Sequence, residues 1–303
     1  MAEDNSINAK LNDLGRLWNA TDPQVSEAAY RALLPEAEAL APHDRCSLID
    51  VHTAIARCEM LQNKFAPARA SLAEAERLLN EQDAAYRVSS RIRWCIETGR
   101  LQVLEKTPSQ ARARFAEAWS LALNSGEDAL AVEIALLIAP VEPQKQQPEW
   151  IARGIRLAEE SPQPGAKRWL GNLYSASGWK LFEVRQFEAA LGAFQKALSH
   201  LKSHGTEREV FVAKWSIGKL LRTMGRAEEA LAIQNALLAD LGVGKQKDGR
   251  LFEELAECLH SLKRVPEAQV YFDLAYHELF QDEWVKNNQP AVLKRLKDLG
   301  KSK

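Results

Sequence analysis

The sequence predicts an all-α protein, a right-handed superhelical α-solenoid of antiparallel helix pairs, and three observations carry that prediction. Apolar residues recur at helical spacing through nearly the whole chain, while the alternating β-branched runs of strands are missing. Two small residues twelve positions apart recur five times: Ala56 and Ala68, Gly99 and Ala111, Gly178 and Ala190, Gly218 and Ala230, Ala256 and Ala268. The second members follow one another at 43, 79, 40 and 38 residues, which is a period near 40 with one unit hidden in the longest gap.

Helix-pair packing explains the pattern. A small residue on the first helix lets the second approach closely, and an alanine on the second sits at the crossing. Four residues past the second anchor come Leu72, Phe115, Phe194, Gln234 and Phe272; seven past it come Ala75, Ala118, Ala197, Leu237 and Ala275. The bulky residue is expected to wedge against the following pair.

Taken in chain order, residues 6–19 and 24–40 read as an irregular first pair interrupted by Pro35, so residues 1–44 form an N-terminal cap. The repeat array runs over 45–281. Its hidden unit is residues 127–139 and 149–160, with Ala158 at the late alanine position; Pro140 to Glu149 is an enlarged turn inside one array, not a domain linker. Further helices are predicted at 168–183, 187–201, 209–224, 227–241, 250–262 and 266–280. They are separated at Gly205, at Gly225, at Gly242 to Gly249 and, before the first, at Pro162 to Gly165. Residues 282–303 hold a closing helix, Pro290 to Leu299, and a basic tail. That helix sets Lys294, Arg295 and Lys297 beside Val292, Leu293, Leu296 and Leu299, a capping stripe rather than a membrane or RNA surface.

Composition narrows the function classes. The 303 residues are 46% hydrophobic and 27% charged, as expected of a soluble folded chain. Forty basic residues against 41 acidic ones leave a net charge of -1, too little field to gather polyanions, so neither nucleic acid nor membrane is expected as a partner. The first ten residues have no signal or transit pattern, no apolar stretch reaches membrane-spanning length, and Cys46, Cys58, Cys95 and Cys258 form no C-x-x-C pair. Reduced, buried thiols and a cytoplasmic location are the expectation.

The residues resemble the tetratricopeptide repeat (TPR) family. Over 171–198, Tyr174, Gly178, Leu181, Phe187, Ala190, Leu191, Phe194, Ala197 and Leu198 match its spacing. The copy at 211–238 matches at Gly218, Leu221, Gly225, Ala230 and Leu231 and departs at Gln234 and Leu237; the copy at 249–276 matches at Phe252, Ala256, Leu259, Ala268, Phe272 and Ala275. The copies at 49–76 and 92–119 match mainly at the small positions, and 132–159 matches weakly. The period exceeds the family's usual ~34 residues, so elongated helices are implied. The resemblance implies that first helices line a concave groove binding peptides or protein segments.

Positions six and three before each small anchor, and one and four after it, share one face of the first helix. That face carries Asp50, Thr53, Arg57 and Met60; Arg93, Ile96, Arg100 and Val103; Asn172, Ser175, Trp179 and Phe182; Val212, Trp215, Lys219 and Arg222; and Arg250, Glu253, Glu257 and His260. Arg57, Arg100, Lys219 and Arg222 are candidate holders of peptide carboxylates, with Trp179, Phe182 and Trp215 as apolar anchors and Asn172 beside them. The alternative for the same residues is framework: solvated cations, and tryptophans filling gaps between first helices. The family's carboxylate clamp uses Lys and Asn on successive repeats, and only Asn172 and Lys219 fall at plausible places.

Catalytic patterns are thin. His200 and His204 share a helical face without an evident third metal ligand, so no metal is expected. LGVGKQ around Lys245 lacks the first Gly and the Ser or Thr of a phosphate loop. No cofactor is expected. The leading reading is a non-catalytic scaffold for a protein or peptide partner. A peptide-responsive regulator is the alternative, and an enzyme on a solenoid scaffold, with Glu253, Glu257 and His260 in the groove, is a third. Oligomeric state stays open.

Overall fold

The computed structural model describes residues 14–19, 21–81, 88–241 and 247–301. The expected helix over residues 6–13, the stretch around Lys245 and the final Lys303 lie outside them. Every regular element among the described residues is helical. The chain divides into two compact units, Met1–Trp169 and Leu170–Lys303.

In unit 1 a single 3-10 turn, Leu14–Leu17, precedes α1 (Pro23–Arg31) and α2 (Leu34–Leu40). Asp22 caps α1 by accepting from the backbone N–H of Gln24 and Val25, and Pro35 falls in the first turn of α2, where a missing N–H costs nothing. Both short helices pack on α3 (Arg45–Leu61), which pairs with α4 (Phe65–Leu79). The next pair is α5 (Val88–Leu104) with α6 (Pro108–Ser125). The hidden unit is real: α7 (Asp128–Ile138) packs on α8 (Gln147–Glu160) around a short 3-10 turn at Ala139–Val141, with Ala158 fully buried. A four-residue helix, α9 (Pro164–Lys167), ends the unit.

Unit 2 pairs α10 (Leu170–Glu183) with α11 (Phe187–His204), α12 (Glu207–Thr223) with α13 (Ala227–Leu241), and α14 (Gly249–Ser261) with α15 (Val265–Leu279). The short α16 (Glu283–Asn288) leads to α17 (Pro290–Gly300), which lies along α15 and buries Leu293 and Leu296.

All ten residues of the twelve-residue small pairs are buried. The reason is direct at Gly99 and Gly178: a Cβ added there would stand 2.5 Å from the ring of Phe115 and of Phe194 respectively. The bulky residue thus presses into the small anchor of its own pair, which corrects the expectation that it wedges against the next pair. Gln234 does the same against Gly218, and its amide Nε2 donates to the Trp215 carbonyl at 3.3 Å. The polar departure from the pattern is therefore a packed one.

One further position repeats, seven residues past each first anchor. Asn63, Lys106, Arg185, Gly225 and Lys263 all have positive φ, between 59° and 85°. In each turn the following N–H bonds back to the fifth carbonyl before it, as from Lys64 to Glu59 at 2.9 Å and from Gln186 to Leu181 at 2.9 Å. This is the left-handed helix stop that sets the sharp turn into the second helix.

Candidate functional site

Unit 1 holds a cleft of about 600 Å³ lined by the first helices of three successive pairs. α3 supplies Asp50, Thr53 and Arg57, α5 supplies Arg93, Ile96 and Glu97, and α7 supplies Leu130 and Glu133. Trp18, Tyr30, Arg168 and Trp169 also line it. Five of these residues, Asp50, Thr53, Arg57, Arg93 and Ile96, stand on the face that helical spacing alone selects.

The charges alternate from helix to helix. Arg93 Nη1 donates to Asp50 Oδ2 at 2.7 Å, and Arg57 Nη1 to Glu97 Oε1 at 2.9 Å. Arg100 reaches Glu133 Oε1 at 2.5 Å and Glu97 Oε1 at 3.5 Å. Arg57 also lies over the Trp18 ring, 5.0 Å from its centroid, a placement suited to a cation–π contact. Arg57 thus lines the cleft while Arg100 stands behind its lining, and each already holds an acid of the fold.

Glu97 is the centre of the array. Its side chain is 9% exposed, and Oε2 has no hydrogen-bond partner among the described residues. Burial pushes its carboxyl up to about 7, with the Glu133 charge adding to the shift and Arg57 opposing it. Burial raises Glu133 as well, against Arg57, Arg168 and Arg93.

Unit 2 presents a different face. Trp179 packs edge-on against Phe194 at 5.2 Å and Phe182 at 5.5 Å, and lies 6.2 Å from Trp215. Trp215 Nε1 donates to the Arg250 carbonyl at 3.2 Å; Trp179, Phe182 and Trp215 are half-buried and Phe194 is buried. Asn172 donates to Glu209 at 2.9 Å. Lys219 and Arg222 do not stand free for a ligand: Glu254, 1% exposed, takes Lys219 at 2.9 Å and the Arg222 fork at 2.9 and 3.1 Å. Burial would raise the Glu254 carboxyl, but Arg222 and Lys219 hold it below its usual range. These two cations are consumed by the framework, the alternative that the sequence left open.

The acidic C-terminal patch is likewise occupied. Glu253 pairs with Arg250 at 2.9 Å and Glu257 with Arg295, while His260 is exposed beside a shallower cleft of about 360 Å³. Tyr174 stacks on His200 at 5.7 Å, and His204 is exposed. Among the described residues no three His, Cys, Asp or Glu side chains gather as metal ligands. The four cysteines are free and buried, and burial pushes the thiols of Cys58, Cys95 and Cys258 up to about 12.

Two features escaped the sequence reading. Glu97 and Glu254 occupy the same repeat position, two before the small anchor, and each receives the cation one past the anchor of the preceding repeat, Arg57 and Lys219. That offset is visible in the sequence once acids are aligned with the anchors. Arg168 and Trp169 sit outside the repeat frame, and no periodic signal points to them.

The fold is that of tetratricopeptide-like helical repeats. RapI in its apo form superposes with a TM-score of 0.73 at 13% identity, covering 98% of this chain and 82% of its own. The apo quorum sensor NprR from B. thuringiensis gives 0.66 at 15%, covering 97% and 82%. A STAND signal-transduction ATPase with a tetratricopeptide repeat sensor, from Pyrococcus horikoshii, gives 0.67 at 11%, covering 98% of this chain and 49% of that one. At such identities the likeness is one of fold. No family model matches the sequence, and no curated protein matches it. No helix of the described residues is long and apolar enough to cross a membrane.

Proposed function

We propose that the chain is a non-catalytic scaffold that binds a peptide or an extended protein segment in the unit 1 cleft. The cleft itself carries the reading: about 600 Å³ walled by Trp18, Tyr30 and Trp169 and edged by arginine forks, the residue types that dominate binding hot spots. Fold neighbours support it, since NprR is known in complex with its cognate peptide and a Rap protein in complex with competence and sporulation factor. The pairing of Glu253 and Glu257 with arginines weighs against a catalytic acid there. Free, buried thiols suit a reducing cytoplasm.

The test is affinity selection from a synthetic random octapeptide mixture on the full chain, followed by anisotropy with wild type and with Trp18→Ala and Arg93→Ala variants. Convergence on a sequence class whose binding weakens tenfold or more in either variant supports the scaffold. No selected peptide, or binding indifferent to both substitutions, overturns it. A second reading, a peptide-responsive regulator, is supported by the likeness to NprR along 97% of this chain. It expects bound peptide to change amide exchange in unit 2 as well as around the cleft.

A further inference from the structure

Two acids that line the unit 1 cleft, Glu97 of α5 and Glu133 of α7, stand on neighbouring repeats and share one arginine. The Arg100 guanidinium lies 3.5 Å from Glu97 Oε1 and 2.5 Å from Glu133 Oε1. Arg57 of α3 adds a donor to Glu97 at 2.9 Å, but to the same Oε1 that Arg100 approaches. Oε2 stays buried without a hydrogen-bond partner, on a side chain 9% exposed, and Glu133 is 15% exposed. An ionised Glu97 therefore holds one oxygen out of water and unpaired, with a second carboxylate on the same arginine. The neutral acid avoids most of that cost.

The charges around Glu97 come from every helix packed on α5. From α3 come Asp50 and Arg57, and Asp50 is held by Arg93 at 2.7 Å. From α7 comes Glu133, on which Arg57, Arg168 and Arg93 also act. On α4, Arg69 pairs with Glu105, and on α6, Glu117 and Arg114 act on Cys95 instead. Burial pushes the Tyr30 hydroxyl in the cleft and the Cys58 thiol on α3 up to about 12, so neither titrates near neutrality. No histidine is among the described residues that line the cleft, and His52 on α3 answers to Glu74, Glu38, Arg31 and Arg77. Burial brings Glu97 to about 7, which makes it the lining group that changes charge near neutral pH.

We propose that occupancy of this cleft is coupled to a proton: a ligand seated over Glu97 and Glu133 removes the water that their charged forms need, so the pair takes up a proton as the ligand binds. The inference rests on the cleft-binding reading above and specifies its regulation. Its sign follows from desolvation. The bound state holds the proton more tightly than the free state, so affinity is full at low pH and falls as pH rises through neutrality. A ligand-induced rise of one pKa unit corresponds to about a tenfold loss of affinity between the acid and alkaline limits.

The test uses an octapeptide from the selection above, chosen without His or Cys, titrated calorimetrically into the full chain at pH 7 in phosphate and in imidazole. The difference in heat between two buffers of unlike ionisation enthalpy counts the protons taken up. Uptake of up to about one proton per chain is expected, with affinity weakening three- to tenfold from pH 6 to pH 8.5. In Glu97→Gln both effects should disappear, while the contribution of the peptide's own amino group, common to both proteins, remains. Circular dichroism verifies that the variant is folded. Glu133→Gln keeps Glu97 and removes the neighbouring charge, so it should move the affinity profile to lower pH, and it decides the matter with wild type alone should Glu97→Gln not fold. Equal heats in the two buffers, proton release on binding, or uptake unchanged in Glu97→Gln overturns the inference and leaves the scaffold standing. An absence of any selected peptide overturns the scaffold reading and the inference with it.

Discussion

Glu97 and Glu254 show how one repeat position acquires two electrostatic roles. Both are buried acids that receive a cation from the preceding repeat. Glu254 has two cations and no competing acid, whereas Glu97 faces Glu133 and keeps an oxygen without a partner. The consequence for pH is opposite in sign. Glu97 has a folded pKa of about 7 against an ordinary 4.5, so the folded state holds the proton more tightly than the unfolded chain. Its contribution is fully present below pH 4.5 and is lost as pH rises through 7, a change on the order of 3 kcal/mol. Denaturant titrations from pH 5 to 8 should therefore show wild type losing more stability than Glu97→Gln; parallel profiles would refute the assignment. Glu254, held low, contributes stability that disappears only on acidification below its usual range. Arg222→Ala removes the fork but leaves Lys219, so about 2 kcal/mol of stability should be lost at neutral pH. A variant as stable as wild type would return Arg222 to the list of free ligand-binding cations.

At the scale of the helix pair, the stop in the left-handed conformation is the most regular device among the described residues, and of the five stops inside pairs only that at Gly225 is a glycine. A non-glycine residue there costs roughly 1 kcal/mol. Arg185→Gly or Lys263→Gly should accordingly raise stability by a few tenths to 1 kcal/mol, offset in part by the unfolded-state freedom of glycine, as measured by thermal unfolding. A loss of stability would mean that the long side chain contributes more than the strain removes. These stops also explain what the sequence could and could not disclose. Small anchors, bulky partners and late alanines are legible because packing permits few residue types at a helix crossing. The stops are not, because Asn, Lys and Arg tolerate the left-handed region without advertising it. The cleft was half legible. Helical periodicity placed Asp50, Thr53, Arg57, Arg93 and Ile96 on one face, but Glu133 comes from the degenerate unit, for which the sequence showed no small anchor pair to frame the same face. Whether a cation is free or spent depends on a partner about 35 to 40 residues away, which single-helix periodicity does not encode.

At the scale of the whole molecule, stability in a repeat protein is a sum of neighbour interfaces, and damage need not spread past the units that share them. The chain divides between Trp169 and Leu170, within the stretch that the repeat period covers as if it were continuous. Gly178 tests how far that division reaches. A methyl group added there meets the Phe194 ring at 2.5 Å, an overpacking that should cost about 1–3 kcal/mol in unit 2. Amide exchange followed by mass spectrometry should then rise in Gly178→Ala over residues 170–301 and stay at the wild-type level in α3 through α8. The cleft would keep its peptide affinity in the same variant, since none of its lining residues belongs to unit 2. Exchange rising equally in both units would show one cooperative array instead, and the cleft could no longer be treated as a property of unit 1.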